Sequence, residues 1–120
     1  MSAGSSVGLT ELGSGWALAE GEVGGSFGAE SYILLANPGS ADASVTLTFY
    51  REAGRPALTL ERSVPAGTRV TVPASAAGLD SERFGAVISS TQPIAVERSI
   101  YWNQGGPWGS GTNETGARIR

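Results

Sequence analysis

The sequence contains no cysteine, no histidine and no lysine. Without Cys it has neither a thiolate nucleophile nor a disulfide. Without Cys and His together it lacks the ligand sets favoured by zinc and copper, and the imidazole general base of most hydrolytic sites. The absence of Lys removes Schiff-base chemistry and the phosphate-loop lysine, and leaves all 8 cations as Arg. Charge of any sign is scarce, at 16% of residues against about 25% in an ordinary domain. The net charge of -3 and the absence of a basic cluster argue against a phosphate-backbone footprint, so no nucleic-acid partner is expected. No apolar run approaches the roughly 18 to 20 residues of a spanning helix, and membrane insertion is not expected. Residues 1–15 lack the basic start and apolar centre of a signal peptide, so any export signal is expected to have been removed. Carboxylates and hydroxyls are the only reactive groups left, and neither a cofactor nor a resident metal is expected.

What is present is glycine and a well-spaced set of apolar residues. The 18 Gly in 120 residues are about twice the usual share of about 7%, which predicts frequent turns. Hydrophobic residues reach 40%, enough for one core in a chain of single-domain length. Residues 1–15 are Gly/Ser-rich and read as a flexible tail, in which Val7, Leu9 and Leu12 are the apolar groups available to a neighbour. Residues 16–120 read as one domain, Gly-rich from about residue 104. Within it, short β-type runs alternate with turn signals, the spacing of an all-β sandwich or barrel. Seven candidate strands stand out: 16–20, 31–37, 43–51, 57–64, 68–72, 84–90 and 94–103. The third alternates most cleanly, with Val45, Leu47 and Phe49 on one face and Ser44, Thr46 and Thr48 on the other. Asn37-Pro38-Gly39, Pro65-Ala66-Gly67 and Thr91-Gln92-Pro93 supply the turns between strands. Residues 74–82 fit either one helical turn or a loop crossing between sheets. The fold class is therefore an Ig-like antiparallel β-sandwich of about seven strands.

The last long candidate strand places Arg98 on the same face as Ile94, Val96, Ile100 and Trp102. Arg98 is thus expected to point inward. In the first strand the same parity aligns Trp16 and Leu18 with Glu20. Since burying either charge alone would cost several kcal/mol, a structural ion pair between Glu20 and Arg98 is the expected solution. The competing arrangement has a bulge or twist carrying Arg98 to the rim.

Other motifs carry less chemistry. Residues 21–28 are glycine-rich, but they precede a strand and lack the G-x-G-x-x-G spacing and the Lys of a phosphate loop. Glu20, Glu22 and Glu30 offer oxygen ligands without the D-x-D-x-D-G order of a calcium loop. Glu20 and Glu97 form the kind of carboxylate pair a glycosidase uses, yet every sandwich contains such pairs, and no catalytic residue is assigned. Trp102 shares the apolar face and is expected in the core. Tyr101 and Trp108 are candidates for an exposed aromatic platform holding a glycan or a protein partner. Asn113-Glu114-Thr115 matches an N-glycosylation acceptor, a pattern common by chance.

Five segments taken in order carry a resemblance. They are Trp16-Ala17-Leu18-Ala19-Glu20-Gly21, residues 32–39 ending in Asn37-Pro38-Gly39, Pro65-Ala66-Gly67-Thr68-Arg69, residues 93–102 from Pro93 to Trp102, and residues 108–116 ending in Gly111-Thr112-Asn113-Glu114-Thr115-Gly116. Together they resemble an uncharacterised β-sandwich repeat module of bacterial secreted and cell-surface proteins. The resemblance implies architecture, an extracellular or surface location and tandem or appended use, and it carries no catalytic residues. The resulting expectation is a non-catalytic extracellular structural or adhesion module. Two alternatives stand beside it: a self-assembling subunit whose tail adds a strand to a neighbour, and a carbohydrate-binding module using Tyr101 and Trp108.

Overall fold

The computed structural model describes residues 11–25, 28–102 and 111–120, with side chains from 114 onward in the last stretch. Eight strands are present among them: β1 (Gly13–Val23), β2 (Glu30–Asn37), β3 (Ala43–Arg51), β4 (Leu58–Val64), β5 (Thr68–Pro73), β6 (Glu82–Tyr101), β7 (Gly111–Thr115) and β8 (Ala117–Arg118). Every pairing is antiparallel. The first layer runs β4-β3-β6-β1-β8, and the second places β2 between β5 and β6, with β7 on the other side of β6. The expected all-β sandwich is what the chain forms.

The layers share β6. Its residues up to Ser90 pair with β1 and β3, and its residues from Ala95 onward pair with β2 and β7. Two strands split at Thr91-Gln92-Pro93 were expected; instead one strand of 20 residues bends there and changes layer. The register shows how: Gly13 faces Ile94 while Gly15 faces Ser89, so residues 90–93 arch out opposite a single residue of β1. Pro93 suits the arch because it has no N–H to leave unpaired. Trp16 fixes the corner, its buried indole Nε1 donating to Gly13 O and to Ile94 O, both at 3.1 Å. The C-terminal segment makes the same crossing, since β7 pairs with the second layer and β8 with the first. Gly116 sits at that crossing, where an added Cβ would lie 3.1 Å from Leu18 and 3.3 Å from Trp16.

Alternation accounts for the core. Val45, Leu47 and Phe49 of β3, Ile33 and Leu35 of β2, and Ile88, Ile94 and Val96 of β6 are buried between the layers, as period-2 patterning requires. Buried Asn37 and Ser31 are absorbed by hydrogen bonds. Asn37 Nδ2 donates to Ala41 O and Val64 O, and its Oδ1 accepts from Gly39 N, which shapes the Asn37-Pro38-Gly39 turn. Ser31 Oγ donates to Glu22 O at 2.6 Å and accepts from Glu22 N at 3.0 Å, joining β2 to β1. Residues 74–82 combine both expected forms. A 3-10 turn at Ala74–Ala77 ends at Gly78, whose φ of 101° needs a glycine, and the chain then crosses from β5 to β6.

In β1 the alternation slips. Leu18 pairs with Ala86 and Gly21 with Phe84, so Ala19 and Glu20 together oppose one residue, Gly85. This bulge moves the buried positions from Trp16 and Leu18 to Gly21 and Val23, and leaves Ala19 and Glu20 exposed. Gly21 is required here because the Phe84 ring lies against its Cα: an added Cβ would fall 2.1 Å from Phe84 Cζ.

Candidate interaction site

The Glu20–Arg98 pair does not form. Arg98 points inward as its parity demands and is 5% exposed, but the bulge has turned Glu20 to solvent. Its carboxylate partner is Glu114, which faces Arg98 in the β6–β7 register, with Arg98 Nη2 to Glu114 Oε1 at 3.1 Å. Glu114 lies on a strand at the end of the second layer and is 58% exposed. Sequence reasoning missed it because it sits in a glycine-rich stretch with no apolar alternation to mark a strand. The inward Arg98 itself was the available signal that some carboxylate had to approach.

A second charged node was also missed. Glu82, at the start of β6, accepts from Arg51 Nε at 2.8 Å, Arg51 Nη2 at 3.0 Å, Arg55 Nη1 at 3.1 Å and the Asp80 N–H at 3.0 Å. The Arg51 hydrogen bonds hold its carboxyl at about 2, well below the usual carboxylate range, with the Asp80 N–H and the charges of Arg51 and Arg55 acting in the same direction. The same contact raises the Arg51 guanidinium. This node ties the end of β3 and the β3–β4 turn to the start of β6, and its oxygens are already occupied. Its chemistry is structural.

The outer face of the second layer has a different character. β2 presents Tyr32, Leu34 and Ala36, and β6 presents Ala95, Glu97, Ser99 and Tyr101 alongside them. Tyr101 is 49% exposed and meets half-buried Tyr32 edge to face, with ring centroids 6.0 Å apart. Tyr32 Oη donates to Glu30 Oε1; that bond, burial and the adjacent carboxylate raise the phenol above its ordinary value. β5 adds Arg69, Thr71 and Pro73 at the border. The outer face of the first layer carries small polar side chains, Ser44, Thr46 and Thr48 of β3 beside Thr59, Glu61 and Ser63 of β4, and at the end of β3 one exposed aromatic ring, Tyr50.

The remaining sequence candidates distribute around this face. Tyr101 is exposed on it. Trp102 is half-buried at the rim and not in the core, because the strand ends at Tyr101; its Nε1 donates to Glu22 Oε1 at 3.4 Å. Leu12 is 39% exposed and lines an open groove of about 440 Å³ with Ala36, Pro38, Thr68, Arg69 and Ala95. Val7, Leu9 and Trp108 lie outside the described residues, as does the side chain of Asn113, whose backbone belongs to β7. β1 begins at Gly13, within the segment expected to be tail. Glu20, Glu22 and Glu30 are not gathered, and among the described residues no group of three carboxylates is placed to hold a metal ion. Among the same residues no helix is long and apolar enough to cross a membrane.

No family profile and no curated protein matches the chain. Solved structures do. The chain is similar to the Thermotoga maritima protein 1070, seen in a crystal structure, with a TM-score of 0.78 and 13% identity over 89% of this chain and 95% of that one. It is also similar to the Anabaena sensory rhodopsin transducer, with a TM-score of 0.62 and 27% identity over 73% of this chain and 96% of that one. The first of these likenesses is one of fold alone.

Proposed function

We propose that the chain is a non-catalytic structural or adhesion module of a bacterial surface or secreted protein, and that it contacts a neighbouring copy of itself through the outer face of the second layer. The observation that carries this reading is the continuous run of Tyr101, Tyr32, Leu34 and Ala36 on that face, with Tyr101 49% exposed. Exposed and partly exposed aromatic and aliphatic side chains on one sheet face are a surface for another protein, and sheets packed face to face stack about 10 Å apart. The charges at the ends of the face favour self-contact: Arg69 lies at one end and Glu30 at the other. A two-fold axis running across the strands at the Leu34 row sets Leu34, Thr71 and Glu97 each over its own copy, so that the Glu97 carboxylates are a like-charge cost, and turns the Arg69 end of one copy toward the Glu30 end of the other. The Glu82 node is engaged in the fold itself. The similar Anabaena protein is named a sensory rhodopsin transducer, and a transducing role supports action through protein contact.

The absence of Cys allows a clean test. Thr71→Cys puts a thiol on the proposed contact face, and Thr59→Cys puts one on the outer face of the first layer. Under mild oxidation the Thr71→Cys protein is expected to form a disulfide-linked dimer well before the Thr59→Cys protein. Equal rates would overturn the proposed face. A glycan that quenched tryptophan emission and was displaced by Tyr101→Ser would move the reading to carbohydrate binding.

A further inference from the structure

The two ends of the outer face of the second layer differ in shape as well as in charge. Its rows follow from register: Ala36 lies beside Arg69 and Ala95, Leu34 beside Thr71 and Glu97, Tyr32 beside Pro73 and Ser99, and Glu30 beside Tyr101. At the Glu30 end the surface is raised. Exposed Tyr101 meets half-buried Tyr32 edge to face, and the Tyr32 hydroxyl donates to the Glu30 carboxylate. At the Arg69 end it is hollow. The open groove of about 440 Å³ lies there, with the short side chains of Ala36 and Ala95 in its lining beside Leu12, Pro38 and Arg69.

We infer that this groove receives the Tyr32–Tyr101 pair of a second copy of the chain, while Arg69 beside it takes that copy's Glu30. The inference rests on the self-contact proposed above and fixes how the two copies meet. A two-fold axis across the strands at the Leu34 row keeps each strand over its own copy and exchanges rows at equal distances on either side. Tyr32, two rows from Leu34, therefore lands over Ala36, and Tyr101, four rows out on β6, lands just past Ala95. Sheets packed face to face cross at about 30°, which displaces a residue two rows out by about 3 Å, less than the strand spacing of about 4.8 Å, so Tyr32 stays over the groove. Four rows out the displacement is about 7 Å, which carries Tyr101 toward Pro38 on one side or Leu12 on the other, and both line the groove. Arg69 lands in the Tyr32 row, two rows and one strand from Glu30. That is about 8 Å along the sheet, a gap that two long side chains close from both ends. Aromatic anchors that fill a hollow of the partner carry most of the energy of such contacts. The Glu97 carboxylates oppose each other at the axis, so the two ends carry the association.

Sedimentation velocity of paired variants tests this. Glu30 and Arg69 are both exposed, so exchanging their charges leaves the core untouched. Glu30→Arg alone, or Arg69→Glu alone, sets like charges together at both ends and is expected to dimerise at least roughly tenfold more weakly than the parent. An equimolar mixture of the two restores opposite charges at both ends and is expected to regain the parent's dimer. The same logic applies to size: Ala36→Tyr and Tyr32→Ala are each expected to dimerise weakly alone and to pair when mixed, since a ring then meets an alanine at both ends. Two results would overturn the inference while self-contact stands: a dimer of the unmodified chain that neither charge variant weakens, or weakened charge variants whose mixture is not restored. An unmodified chain near 12.2 kDa at every concentration overturns self-contact and the inference together, and leaves the face to an unlike partner.

Discussion

Each charged residue near the core is governed by the donors or acceptors around it, and Glu82 is the fullest case. Its carboxyl titrates at about 2 in the fold against 4.5 for an unperturbed glutamate. A depressed carboxylate contributes stability that is fully present above the unfolded value, here about pH 4.5, and is lost as pH falls through about 2. We expect Glu82→Gln to lower unfolding stability by about 3 kcal/mol at pH 7, because it leaves the charge of Arg51 without its partner. Urea unfolding at pH 7 and at successively lower pH checks this: the difference between the two proteins should shrink toward pH 2. A difference independent of pH would contradict it. Glu20→Ala, by contrast, should stay within about 0.5 kcal/mol of the parent, since Glu20 is exposed on a bulge and has no ion pair among the described residues. At this scale the sequence was half legible. Parity alone gave the inward Arg98. It did not give Glu114, since a partner across β6–β7 is a property of register. Nor did it warn that the bulge would expose Glu20; the only signal was the glycine that follows it.

Among the elements, β6 decides the architecture, because its 20 residues belong to both layers. Alternation on either side of Thr91-Gln92-Pro93 was readable, with Ile88 and Ile94 both inward. The continuity was not, because a proline in a strand reads as a stop whether the chain ends there or only bends. The β1 bulge depends on the contact between Gly21 and Phe84. We expect Gly21→Ala to cost about 2 kcal/mol through overpacking, since the added methyl would meet a buried ring 2.1 Å away. A thermal melt reads this directly, and an unchanged midpoint would mean that the bulge adjusts freely. The same substitution at Gly54, where an added Cβ meets nothing within 4 Å, separates packing from backbone strain, since Gly54 has a φ of 68°.

For the molecule as a whole, closure is completed by the last ten residues. β7 supplies Glu114 to Arg98, β8 covers β1 at Trp16 and Ala17, and the backbone beyond it continues the pairing through Ser14 N to Arg120 O and Ile119 N to Gly15 O, both at 2.7 Å. Removing residues 111–120 exposes the edge beside Trp16 and leaves Arg98 buried with no acceptor. We expect that truncation to abolish cooperative unfolding, followed by tryptophan fluorescence in urea; a transition of unchanged midpoint would contradict the role given to the C-terminal strands. The sandwich class was visible in strand spacing, whereas β7 was hidden by glycine and by the lack of any apolar alternation.

Self-contact through the outer face of the second layer is the central functional claim, and sedimentation velocity over a wide concentration range tests it most directly. The chain should pass from a species near 12.2 kDa toward a dimer as concentration rises, and Tyr101→Ser should hold it at the smaller species at every concentration. A single species near 12.2 kDa throughout for the unmodified chain, or association that Tyr101→Ser leaves unchanged, would contradict the claim.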